Sequence, residues 1–182
     1  MSVIINIDDA AFRDIQRRLA EIPNKAPNAI SAALNRTVTN VATNLNKEVR
    51  KEYTIKAGDV KGTIKKRTAN RGDLRASVKS TGGVIPLDKF KTSKLGRKQV
   101  KVAVKKGQLK KVLGAFAADI SGPKIFKRKT KKRLPINKLF GPSVPQMAGE
   151  SSIAERINNQ ASETFERRLD HEINRLLARL GG

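Results

Sequence analysis

Residues 28–53, NAISAALNRTVTNVATNLNKEVRKEY, contain a long and regular apolar pattern. Large apolar side chains recur at steps of three or four residues, which places them along one stripe of a helix. Alanines widen this stripe with small side chains that permit close packing of another helix. The sequence therefore predicts a helix from about Asn28 to Tyr53, with its stripe formed by Ile30, Leu34, Val38, Val41, Leu45, Val49 and Tyr53.

A second helical pattern begins near Glu150 or Ser151 and continues towards residue 180. Most of its apolar steps are four residues, and each such step advances about 40° beyond a full helical turn. The stripe therefore drifts around the helix, so the helix either bends around its own domain or meets another chain. We predict a subunit interface at Phe165, Leu169, Ile173, Leu176, Leu177 and Leu180.

Between these helices the apolar period changes. Residues 54–67 are expected to form a second, glycine-weakened helical segment. Residues 74–79 and 100–105 alternate apolar and polar side chains, which is typical of strands with one buried face. Residues 88–99 are expected to form an exposed basic loop. The three prolines of residues 134–147 predict a rigid connection without a regular helix.

These elements predict an α+β fold, with N-terminal helices and a long C-terminal helix packed on a small antiparallel β-sheet, and with long basic loops. An apolar run at 3–7 predicts an initial strand, and a helical stripe follows at 12–22. We expect residues 1–147 to form an α+β core that contains a basic block at 47–133. Residues 148–182 are expected to form an amphipathic helix on this core or on a neighbouring subunit.

The chain is strongly basic. It has 182 residues, with 39 Lys and Arg against 16 Asp and Glu, and a formal net charge of +23. Almost all of this excess lies within 47–133, and such a charge opposes compaction unless an anion is near. Nucleic acid fits best, while an anionic membrane surface or an acidic protein stays open. The predicted contacts to nucleic acid or to an acidic partner are Lys65, Lys66, Arg67, Arg71, Arg97, Lys98, Lys127, Arg128, Lys129, Lys131, Lys132 and Arg133.

The residue inventory argues against catalysis. The absence of Cys excludes a disulfide scaffold, a zinc finger, an iron–sulfur site and a thiol nucleophile. The single histidine, His171, is expected on the surface. Asp73, Asp88 and Asp119 have no motif spacing, so salt bridges explain them better than acid–base or metal chemistry. We therefore expect no enzyme activity, no catalytic residue, no cofactor and no metal.

No apolar run approaches the ~20 residues of a membrane span. The first charged residues are acidic, which is the wrong order for a secretory signal peptide. We therefore expect synthesis in a cytoplasm, and we expect no membrane among the partners. Because aromatic side chains are few in the basic block, contacts to nucleic acid are expected to be non-specific and directed to the backbone.

Two stretches also carry recognisable motifs. Residues 29–78 contain an Ala- and Asn-rich helix with a central A-x-N-R at 33–36, and residues 113–147 contain G-A-F, F-x-R, R-x-P-I and G-P-S in that order. In this order the motifs resemble the phage minor tail protein Z family, and the broader group of tail-completion and head–tail joining proteins. The matching positions of the second stretch are Gly114, Ala115, Phe116, Phe126, Arg128, Pro135, Ile136, Gly141, Pro142 and Ser143.

The resemblance implies a structural virion protein, made in the host cytoplasm, at the head-proximal end of a phage tail. It implies a homo-oligomeric ring, for which we expect six copies, at the head–tail interface through which DNA passes. The implied partners are the tail tube or tail terminator protein, the head–tail connector proteins, and double-stranded DNA without sequence specificity. Two alternatives stay open: a stand-alone non-specific nucleic-acid-binding protein, and a tail-assembly chaperone absent from the particle.

Overall fold

A computed structural model describes residues 2–5, 17, 26–93, 100–120 and 122–178. It confirms an α+β fold, with helices and small antiparallel sheets. The described helices are α1 (Ala26–Glu52), α2 (Ala57–Lys61), α3 (Val144–Ala148) and α4 (Ser151–Ala178). The described strands are β1 (Ser2–Ile5), β2 (Ile64–Arg67), β3 (Ala76–Ser80), β4 (Ile85–Pro86), β5 (Lys91–Thr92), β6 (Lys101–Ala103), β7 (Lys110–Lys111), β8 (Ala115–Asp119), β9 (Pro123–Arg128), β10 (Ile136–Lys138) and β11 (Phe140–Gly141).

The chain forms two compact units that alternate along the sequence. The first unit comprises Met1–Leu45, Ile64–Ser80 and Ser151–Gly182, and the second comprises Asn46–Thr63 and Thr81–Glu150. One boundary between the units lies at the beginning of α4, and the division of the chain predicted at residue 147 stays a prediction. The first unit combines two segments that flank the second unit in the sequence with a third, Ile64–Ser80, that lies between the two segments of the second unit.

The helices of the first unit follow their apolar patterns. The stripe of α1 is confirmed, since Ile30, Leu34 and Val38 are fully buried. The Asn40 amide oxygen of α1 accepts a hydrogen bond from the Thr164 hydroxyl of α4 at 3.4 Å. Arg36, which precedes Asn40 in α1, forms an ion pair with Glu172, which follows Thr164 in α4. The two helices therefore run antiparallel.

The sheet of the first unit has the strand order β1-β3-β2, with both neighbouring pairs antiparallel. Ala76 and Val78 are buried and Lys79 is exposed, which confirms the predicted alternation. The prediction of a helix through residues 54–67 is confirmed only for Ala57–Lys61, and it is wrong for 54–56 and beyond Lys61. Residues 64–67 instead form β2, because pairing with β3 satisfies their backbone groups and overrides a weak local helical tendency.

The second unit consists mainly of short antiparallel strands. They form a β11–β4 pair and two three-stranded sheets, of order β5-β6-β7 and β10-β9-β8. The prediction of a loop through 88–99 is wrong at its start, where Phe90 is buried and β5 pairs with β6. Gly141 explains the close packing there, since a Cβ at this position would lie 2.8 Å from the Phe90 ring. Residues 94–99 lie outside the described residues.

Residues 134–147 are more regular than predicted. They contain β10, β11 and the beginning of α3. Ser143 caps α3, because its hydroxyl accepts from the Gln146 backbone N–H, and its own N–H donates to the Gln146 side chain at 2.8 Å. Pro145 stands in the first turn, where a backbone N–H has no helical partner, so it does not interrupt the helix.

The predicted N-terminal strand is confirmed as β1 at Ser2–Ile5, where it pairs with β3. The predicted helical stripe at 12–22 lies outside the described residues, apart from Arg17, whose backbone is helical.

Candidate nucleic-acid and partner interface

The β9–β10 hairpin of the second unit carries the densest group of predicted contact residues. Its base is ordered by packing, since the Phe116 and Phe126 rings lie 6.2 Å apart and the Arg128 guanidinium lies 4.8 Å from the Phe116 centroid. The turn is closed by the Lys129 N–H, which donates to the Pro135 carbonyl at 3.1 Å. The hairpin therefore presents its tip on a defined framework.

The cations of this hairpin are exposed to solvent, and within 26–93, 100–120 and 122–178 none of them forms an ion pair. A free cation of this kind is available to a phosphate or a carboxylate, because no internal carboxylate neutralises it. We call this set of cations the basic hairpin; it consists of Lys127, Arg128, Lys129, Lys131, Lys132 and Arg133.

A second group of predicted contacts lies on β2 and the loop after it, in the first unit. Lys65 and Lys66 are exposed, and Lys65 faces Lys79 directly across the β2–β3 pair. Like charges at this distance repel, so an external anion would stabilise the pair. Arg71 is also exposed.

Arg67 differs from its neighbours because the chain itself neutralises it. Its guanidinium lies 2.7 Å from a carboxylate oxygen of Asp73, and Arg75 lies 2.8 Å from the other oxygen. The hydrogen bond from Arg75 lowers the pKa of Asp73, and the Arg67 charge acts in the same direction. Arg67 is therefore a weaker contact candidate than Lys65 or Lys66. Arg97 and Lys98 lie outside the described residues.

The predicted subunit-interface residues of α4 have different environments. Leu169 and Ile173 are buried within the chain itself. Phe165 and Leu176 are half-buried, and Leu177 is exposed. Leu180 lies outside the described residues. The subunit interface stays a prediction, and within the described part of this set Leu177 is the residue most accessible to a neighbour.

The A-x-N-R motif holds the first unit together, a role that sequence reasoning missed. The Asn35 side chain donates to the Ala69 carbonyl at 3.0 Å and accepts from the Ala69 N–H at 2.8 Å. Arg36 lies 3.3 Å from Glu172 of α4, and Arg175 lies 2.6 Å from its other carboxylate oxygen. Glu172 is 1% exposed, and these contacts are ion pairs without hydrogen-bond alignment. The adjacent Asn and Arg were the available sequence signal.

A buried polar group also orders the second unit. Tyr53 is buried, with the Lys105 ammonium 5.4 Å from its ring centroid, and Lys105 lies 2.7 Å from Glu150. Burial raises the pKa of Tyr53, and the hydrogen bond to Glu150 raises it further. Hydrogen bonds from Lys105 and then Tyr53 lower the pKa of Glu150. Lys105 and Glu150, which contact Tyr53, are far from it in sequence, so no local pattern indicated the cluster.

The remaining polar candidates behave as structural residues. The ion pairs of Asp73 are confirmed, and His171 is exposed as predicted. Asp119 does not use its carboxylate for a described salt bridge but accepts from the Gly122 N–H at 3.0 Å, in the turn between β8 and β9. One oxygen of Asp88 is buried without a hydrogen-bond partner among the described residues.

The described residues offer neither a metal-binding cluster nor a membrane-spanning helix. They contain no group of three or more His, Asp or Glu side chains that could hold a metal ion. Across the same ranges, no helix combines the length and the apolar character needed to cross a bilayer.

The exposed cations of the basic hairpin and of β2 are suited to contact with an anionic molecule, which is a property of binding proteins. A family model described as prophage minor tail protein Z (GPZ) matches residues 12–180, so the chain belongs to that family. The protein therefore has a structural role in a phage tail. Comparison with curated proteins and with solved structures gave no significant match.

Proposed function

We propose that the protein completes the tail at its head-proximal end, where copies of it form a ring through which DNA passes. The observation that carries this proposal is the basic hairpin, an exposed group of cations that the described chain does not neutralise. Family membership supports a tail component, and the net charge of +23 supports contact with a polyanion. The expected protein neighbours are the tail tube or terminator protein and the connector proteins.

The hairpin would act on DNA through charge alone. Lys and Arg neutralise backbone phosphates and release counterions, and this term does not depend on sequence. Base readout of unpaired strands uses exposed aromatic platforms. Here Phe126 is buried and Phe116 is half-buried beneath Arg128. Contact with passing DNA would therefore be non-specific, as a channel requires.

Copy number in purified particles tests the structural role directly. Quantitative mass spectrometry against the tail-tube protein should give a small, fixed number of copies per particle. Such a number would identify a stoichiometric joint and define the size of the ring. Absence from particles would reject the proposal and favour an assembly chaperone or a free nucleic-acid-binding protein.

Charge reversal tests the role of the basic hairpin. Replacing five of its six cations by Glu, with Arg128 kept because it packs on Phe116, should abolish infectivity, while the melting temperature of the purified protein stays close to that of the wild type. The matched control replaces its lysines by Arg, which keeps every charge and should preserve infectivity. Normal infectivity of the Glu variant would show that the hairpin has no role in the particle.

A further inference from the structure

The sheet β5-β6-β7 presents a further cationic surface, and it contains none of the predicted contact residues that the structure describes. Residues directly opposite each other in antiparallel strands share one face of a sheet, and so do alternate residues of one strand. Lys91 lies opposite Ala103, and Lys101 lies opposite Lys111. Because Lys101 and Ala103 alternate on β6, all four residues share one face, and the three lysines are exposed.

A cleft of about 570 Å³ lies on this face of the second unit. Lys91 and Ala103 line it, together with Arg50, Lys106 and the apolar side chains of Ile55 and Leu109. Leu109 is 50% exposed, whereas Ile55 is buried. None of the described residues that line the cleft is acidic. The cleft therefore combines an apolar floor with a cationic rim.

We propose that this cleft docks an acidic segment of another protein, with a large apolar side chain in the cleft and carboxylates on both sides of it. Cations alone would suit a phosphate backbone, but that backbone has no apolar group to offer to Leu109 and Ile55, and the thymine methyl groups of a duplex lie inside its major groove. A partner of opposite charge suits the cationic rim of this cleft better than a second copy of this chain, whose net charge is +23, so contacts between copies in a ring would use other surfaces. The inference does not depend on a ring or on DNA passage.

The opposed lysines Lys101 and Lys111 support an anionic occupant. In the free protein they repel each other across β6 and β7. Carboxylates placed beside them would remove that repulsion, so part of the affinity comes from relief of an unfavourable contact in the free protein. The apolar floor then supplies the preference for one acidic segment over another, because its contribution does not depend on charge.

Two synthetic peptides of equal length and charge test the proposal. Both carry acidic residues on either side of a central pair, which is Leu-Phe in one peptide and Ser-Ser in the other. Fluorescence anisotropy with the full chain should show the Leu-Phe peptide binding about tenfold more tightly, as expected for burial of one large apolar side chain. Leu109→Ser should abolish that preference. Lys101→Gln with Lys111→Gln should lower the binding affinity of both peptides.

The control variant is Leu134→Ser, which removes a side chain that is 65% exposed in the same unit but does not line the cleft. It should leave the tenfold preference unchanged. Equal affinity of the wild type for the two peptides would overturn the proposal without any variant. A preference that survives Leu109→Ser would also overturn it. So would a short duplex DNA that displaces the Leu-Phe peptide and that loses as much affinity as this peptide does on Leu109→Ser.

Discussion

The contact between α1 and α4 and the basic hairpin use positive charge in opposite ways. In the first region, Arg36 and Arg175 both approach Glu172, which is 1% exposed. In the second, the cations project into solvent without a described carboxylate beside them. The first arrangement joins two parts of one chain, and the second is suited to joining the chain to another molecule.

This difference separates the residues that hold the fold from those that can contact a partner. Removing a charge that is paired inside the chain is costly, because it leaves a buried group without its partner. An exposed and unpaired charge contributes little to stability, so it can be reserved for an external anion. Substitutions should therefore affect stability strongly in the first region and weakly in the second.

The largest loss of stability is expected from Arg36→Ala combined with Arg175→Ala. This variant leaves the buried Glu172 carboxylate without either cation and should cost about 3 kcal/mol in free energy of unfolding, measured by urea denaturation. Adding Glu172→Leu should recover most of the lost free energy of unfolding, because no unpaired charge then stays buried. A double variant as stable as the wild type would contradict the structural role of this contact.

Asn35→Ala should have the next largest effect. It removes both hydrogen bonds to Ala69, each worth about 1 kcal/mol, so the free energy of unfolding should fall by about 2 kcal/mol. Limited trypsin digestion should also cut faster at Arg71, two residues beyond Ala69. Asn35→Asp keeps the acceptor and loses the donor, and an intermediate loss is expected. Equal stability of all three proteins would show that the loop does not depend on Asn35.

Glu150→Gln should cost about 1 kcal/mol at neutral pH, because it removes the ion pair with Lys105. The folded protein lowers the pKa of Glu150 below its ordinary value of 4.5, so this stabilisation is present above that pH. It is lost as the pH falls through the folded pKa. Thermal melts should therefore differ between wild type and variant at pH 7 and converge in acid. Glu155→Gln, at an exposed position of α4, is the control.

The smallest effect on stability is expected for Lys131→Gln with Lys132→Gln, within about 0.5 kcal/mol of the wild type. The same variant should reduce the salt dependence of duplex-DNA binding by up to about 2 logarithmic units per decade of salt, about one for each phosphate that is no longer neutralised. Lys131→Arg with Lys132→Arg should keep the full dependence. A stability loss comparable to that of Asn35→Ala would remove the distinction between the two regions.

The long helices were predictable because their apolar patterns repeat over many turns. The stripe from Ile30 to Val49 leaves little choice of structure, and α4 begins where the sequence indicated. The short elements were not predictable in the same way. Residues 64–67 offer a single turn of helical pattern, and their pairing with β3 is a contact that local sequence does not encode. Likewise, the helical role of Pro145 depends on the cap at Ser143.

The candidate surfaces were predictable in composition but not in detail. A count of Lys and Arg identified the basic hairpin, yet it could not separate Arg67, which pairs with Asp73, from the exposed Lys65. Nor could it reveal Lys101 and Lys111, since their alignment depends on the register of β6 and β7. In each case the deciding information is the position of a partner that the fold brings alongside, which charge counting does not include.

The interleaved order of the two units along the chain determines when each unit can fold during translation. Asn40 and Thr164, which meet in the first unit, are 124 residues apart along the chain. Both segments of the second unit lie between them and are made before Thr164. The second unit can therefore fold while the ribosome is still elongating the chain, but the first must wait until α4 emerges. The first unit of a nascent chain thus stays incomplete until α4 has been made, after the whole of the second unit.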